Sequence, residues 1–160
     1  MVVSPKVEQD RVWPVATVVA RLALAAGFLS AVADRFGWWG DAHTGSVTWG
    51  GFAAYTAYTH QLAPYLPDGL LDVAAWAATI AELGLGLTLL SGVAVRWSAW
   101  AAAGLLLVFA LSMALFVGWE APLSASVFGA GAAALLLALS PVRTFALSVD
   151  RLLAPSLETR

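Results

Sequence analysis

Residues 78–92 read ATIAELGLGLTLLSG, a run of fifteen in which only Glu82 is ionisable. The run sits inside an apolar segment, 70–90, of the length an α-helix needs to cross a hydrocarbon layer roughly 30 Å thick. A carboxylate at mid-depth in such a helix costs about 2.5–3.5 kcal/mol on insertion scales, so it is expected to face other helices rather than lipid. Positions at helical spacing from Glu82 (Ala75, Ala78, Thr79 and Gly86) are small, so a neighbouring helix can approach closely on that face. The fold follows from this stretch outward: spanning helices, with a buried charge that needs a partner.

Three further apolar segments, 13–33, 97–118 and 122–139, have similar character. None shows the period-2 alternation of a barrel strand. With 61% hydrophobic and 11% charged residues in 160, and a mean hydropathy of +0.82, the apolar content exceeds what one soluble core needs. The sequence predicts an all-α membrane protein over residues 1–160, a bundle of four transmembrane helices leaving no room for a separate soluble catalytic domain. Lys6, Arg11 and the A-x-A at Ala31–Ala33 imitate a signal peptide, but Arg21 interrupts the apolar run, which is longer than a signal h-region; a retained span is expected.

Lys6, Arg11, Arg96, Arg143, Arg151 and Arg160 fall on one side of such a bundle and Arg35 on the other. The positive-inside rule then places both termini in the cytoplasm and the loop 34–69 outside. Within that loop, 47–66 carries Trp49, Phe52, Tyr55, Tyr58 and Tyr65, several at helical spacing, and predicts a short interfacial helix before Pro64 and Pro67. In the cytoplasmic tail 142–160, the segment 142–153 has Phe145, Val149 and Leu152 on one face, as an amphipathic helix on the inner leaflet would, or an ordinary helix tail.

The absence of cysteine removes disulfides, thiolate metal sites and a dithiol relay. No basic run exists to neutralise nucleic-acid phosphates, so nucleic acid is not an expected partner. No metal site is expected: His43 and His60 lie off the spans and lack metal- or haem-ligand spacing. The second ionisable group inside a span is Arg21. Counting 1.5 Å per residue from the ends of the apolar runs puts it at nearly the depth of Glu82, which predicts an Arg21–Glu82 pair. That pair either fixes the register of two helices or forms a site, a proton relay or ligand contact. Arg35, fourteen residues on, is placed by the same count at the outer rim with Asp34, Asp41, Asp68, Asp72 and Glu120. The rim reads as an aromatic belt or as a polar mouth above the pair.

ARLALAAGFLSAVADRFGWWG (20–40) and AELGLGLTLLSGVAVRWSAWAAAGLLL (81–107) resemble the two conserved regions of the DoxX family of small four-span bacterial membrane proteins. The matching positions are Arg21, Glu82, Gly86, Gly92 and Arg96, and WGGF (49–52) with APYLP (63–67) resembles one subgroup. The resemblance covers about residues 15–140. It implies a bacterial inner-membrane protein in respiratory or oxidative-stress systems, related to a membrane subunit of thiosulfate:quinone oxidoreductase. The expected function is therefore a quinone-linked redox subunit without a cofactor of its own, in which Arg21 and Glu82, with Trp49 and Tyr55, contact a quinone or lipid. Soluble redox enzyme subunits would be its partners. The alternatives are an oligomeric carrier of a small solute or ion, and a scaffold for soluble redox enzymes.

Overall fold

The structure, a computed structural model, describes residues 5–42 and 47–150, with side chains from residue 12 onward. It is all-helical over the described residues. Helix α1 (Pro5–Arg35) is followed by a loop and α2 (Phe52–Leu62), then by α3 (Asp68–Ser91), α4 (Val95–Phe116), the one-turn α5 (Glu120–Ser124) and α6 (Val127–Leu139). Three stretches, Val12–Arg35, Asp68–Ser91 and Val95–Phe116, are long and apolar enough to cross a membrane. The chain is thus an all-α membrane protein. Val19, Leu83, Leu87, Leu107 and Leu136 face outward, as side chains in lipid contact would.

The helices associate as two antiparallel pairs, α1 with α3 and α4 with α6. Small residues set the spacing: Gly86 lies so close to α1 that a Cβ there would sit 2.8 Å from the Leu29 side chain, and Ala25, Ala99, Ala102 and Ala134 have no exposed surface. Close approach through small residues replaces the hydrophobic drive that helices lack in lipid. Where the pairs meet at the end carrying the α3–α4 turn, Leu24, Phe28, Leu89, Val95, Leu137 and Phe145 form one core. A cavity occupies the opposite end and reaches down beside this core.

Two expected elements take a different form. The segment 122–139 divides into α5 and α6 at a break where Ser126 adopts a left-handed conformation, φ 55°, and α6 alone has 13 residues. The tail is not an α-helix from residue 142. It makes one 3-10 turn (Val142–Thr144), and Leu147 is left-handed at φ 50°. Residues beyond 150, including Leu152 of the expected amphipathic face, lie outside the described residues.

The tail instead latches under the packed end. Thr17 donates its hydroxyl to the Thr144 carbonyl (2.7 Å), and Arg96 donates to the Ser140 carbonyl (3.1 Å), where a cation also complements the C-terminal end of α6. Helix α4 begins after Ala94 with no cap of its own. The Asp150 carboxylate supplies one, accepting from the backbone N–H groups of Ala94 (2.7 Å) and Val95 (2.9 Å).

Candidate functional site

Arg21 and Glu82 do not meet. Arg21 is buried at the packed end, where Nη1 donates to the Ala146 carbonyl (3.2 Å) and Nη2 to the Leu147 carbonyl (2.7 Å). Asp150 is near enough to interact with its charge. A Cβ on Gly92 would sit 2.8 Å from Arg21 Nη1 and 2.7 Å from Ser148 Cα, so Arg21 lies opposite Gly92, ten residues and about 15 Å along α3 from Glu82. The depth count failed because it took the ends of the apolar runs as level. The Arg35 end of α1 instead stops beside Thr79 and Glu82, well short of the Asp68 end of α3, and the loop with α2 covers the difference.

The partner of Glu82 is Arg35. Its Nη2 donates to Glu82 Oε1 at 2.6 Å and its Nη1 to Thr79 Oγ1 at 2.9 Å, and the Thr79 hydroxyl in turn donates to the Ala75 carbonyl at 2.8 Å. Both ionic side chains are nearly inaccessible, at 4% and 3% exposure. The guanidinium carbon lies 3.7 Å from the centre of the Tyr55 ring, a cation–π contact that strengthens away from water. Among the described residues, Glu82 Oε2 receives no hydrogen bond from the protein.

Asp34, next to Arg35, shapes the cover. Its carboxylate accepts backbone N–H bonds from Thr48 (3.1 Å), Trp49 (3.0 Å) and Gly50 (3.1 Å). This pins the loop so that the Trp49 indole packs on Tyr58 (4.7 Å between centroids) and edge-on to Tyr55 (5.6 Å). Gly50 is left-handed, and a Cβ there would come within 2.5 Å of the Ala42 nitrogen, so no other residue fits. A second aromatic group, Phe36, Phe52 and Trp76, anchors α2 to α1 and α3.

Beneath this cover lies a cavity of about 890 Å³. Arg35, Glu82, Tyr55 and Tyr58 line it at one end, and Glu120 of α5 joins them. The remaining wall, with Leu24, Phe28, Leu106, Phe109 and Met113, is mostly apolar, with Thr48 and Ser124 as its polar members. Burial pushes the Tyr55 phenol above its ordinary value, opposed by the Arg35 cation, and burial alone raises Tyr58. Both therefore remain hydrogen-bond donors near neutral pH. A mostly apolar pocket with a few convergent polar groups suits a small amphipathic molecule.

The structure thus brings together Glu82, Trp49 and Tyr55 of the expected site and leaves Arg21 out. Arg35, Asp34 and Tyr58 take its place. A usable signal was present in the sequence: the Asp34-Arg35 pair closes an apolar helix, and a helix end covered by a further aromatic helix need not lie at the membrane surface. His60 is exposed on α2, and His43 lies outside the described residues. No cluster of three metal-ligating side chains occurs among the described residues. Comparison of the chain with family models, with curated proteins and with solved structures finds no match.

Proposed function

We propose that the protein is a four-span inner-membrane protein with cytoplasmic termini whose outer cavity binds a molecule of the quinone class, as the membrane component of a respiratory or oxidative-stress redox system. The observation that carries the binding reading is the buried Arg35–Glu82 pair at the polar end of an otherwise apolar cavity. Desolvating two charges is expensive, and an apolar pair would pack as well, so a buried ion pair that lines a cavity invites a functional explanation. Together α5 and α6 run from Glu120 to Leu139, enough residues for a fourth span despite the break.

In this reading Arg35 donates to a ring oxygen and the unbonded Oε2 of Glu82 accepts from a quinol hydroxyl. Oxidation of the quinol to the quinone releases two electrons and two protons. Glu82 takes one proton, the second passes to water at the polar end, where the exposed Glu120 joins the lining, and the electrons go to a redox centre of a partner protein. Arg35 keeps Thr79 and the Tyr55 ring as partners once Glu82 is neutral.

The deciding experiment titrates decyl-benzoquinone into the nanodisc-embedded protein and follows tryptophan fluorescence. Saturable binding that weakens at least tenfold, about 1.4 kcal/mol, in Glu82→Gln supports the reading. No binding to the wild-type chain overturns it. The spans are checked separately by single-cysteine labelling, which has no background because the chain lacks cysteine.

The helix break at Ser126 favours a second reading, a carrier for a small solute, because discontinuous helices often flank transport sites. Glu82-dependent flux in proteoliposomes, without quinone binding, would select it.

A further inference from the structure

The cavity is elongated and its polarity is graded. Along α1 its wall runs from Arg35 through Ala31 and Gly27 down to Ala20, fifteen residues or about 22 Å. The ionic and phenolic groups are confined to the Arg35 end. Toward Ala20 the α1 wall is Ala23, Leu24, Gly27 and Phe28, all apolar, faced by Ala130 and Ala133 of α6.

This lower part is not closed off. Ala23 and Gly27 line the cavity and are themselves exposed rather than buried. They lie on α1, on the stretch long and apolar enough to cross a membrane, so an opening at this level faces the hydrocarbon layer rather than water. The residues of the seam are too small to shut it, and a Cβ on Gly27 would meet nothing within 4 Å.

From these features we infer that the ligand carries a hydrocarbon chain and enters sideways from the lipid through the seam between α1 and α6. Its polar head moves up to Arg35 and Glu82 while the chain stays over Ala23 and Gly27. The inference rests on the reading of the cavity as a quinone-class site for the identity of the head group, and on the graded wall and lateral opening for the chain. A head group without a chain would gain little from the apolar wall between Ala31 and Ala20, about 16 Å long, whereas a membrane-dissolved ligand never has to leave the hydrocarbon.

The test narrows the seam with Ala23→Phe and Gly27→Leu together, both on an exposed helix face that accepts larger side chains. Two probes are titrated into wild type and variant in nanodiscs, decyl-benzoquinone and the same ring without its chain. The expected result is a loss of at least tenfold in affinity for the chain-bearing probe and less than twofold for the bare ring. Equal losses for both, or no loss for either, would overturn the inference. If wild type binds neither probe, the quinone reading fails, and a photoreactive diazirine fatty acid decides the seam. Crosslinks at Ala23, Gly27 or Ala130 in wild type that vanish in the variant uphold lateral entry of a chain, and crosslinks absent from the seam refute it.

Discussion

Arg35 ends α1 with every interaction directed inward, to Glu82, Thr79 and the Tyr55 ring. Removing one member of such a pair leaves an uncompensated buried charge, so Arg35→Leu or Glu82→Leu alone is expected to cost about 3–5 kcal/mol. The double substitution should cost much less than the sum, and unfolding of the three variants in detergent gives the coupling directly. Arg35→Lys keeps the charge but cannot reach Glu82 and Thr79 with a planar fork, so it should fall between wild type and Arg35→Leu in the same assay. Gly92 provides a second single-residue test. Its φ of 72° and its contact with Ser148 and Arg21 predict a loss of about 1–2 kcal/mol or more for Gly92→Ala, read as a lower melting temperature. At this scale the sequence disclosed that Glu82 and Arg21 are interior, but it left Arg35 and Asp34 at the rim although both are buried, and it did not disclose which groups meet. Burial of Glu82 follows from its apolar flanks and the small residues beside it, and Arg21 is likewise buried. Pairing depends on how far one helix slides along another, which no composition records.

The α3–α4 turn and the tail form one unit held by long-range polar contacts. Asp150→Ala removes the cap on the Ala94 and Val95 amides and should cost about 0.5–2 kcal/mol. Limited proteolysis should then cut the tail faster while leaving α2 unaffected. Ser126 tests the break between α5 and α6 in the opposite direction. Glycine tolerates the left-handed backbone without the penalty of about 1–2 kcal/mol that a side chain incurs, so Ser126→Gly should raise the melting temperature. Helices α3 and α4 were legible within a few residues because their apolar runs are uninterrupted, and the aromatic segment 47–66 contains α2. The break was not legible, since the Ala- and Leu-rich run continues past it. The tail has an apolar face, but its backbone carbonyls are turned to Arg21 rather than to one another, and that choice is made by a helix more than a hundred residues away.

As a whole the molecule is packed at the tail end, and its cavity is capped at the other end and reaches down beside that core. Hydrogen exchange should reflect this, with the amides around Leu89, Ala99 and Leu137 protected most and those of α2 and α5 least. A ligand in the cavity at one hundred times its Kd should stabilise the protein by about 2.7 kcal/mol, with added protection concentrated around the cavity. The latch also bears on biogenesis. The carboxylate that caps α4 lies 56 residues after the amide it serves, and at about 5–20 residues per second it is synthesised roughly 3–11 s later. During that interval the start of α4 has bare amide groups and the Arg21 guanidinium lacks its carbonyl partners, so the nascent chain must keep this end in contact with water or lipid head groups. Emergence of Asp150 then acts as a completion signal, and a chain stopped before it would leave the ribosome with its helices made and the end carrying the α3–α4 turn still open.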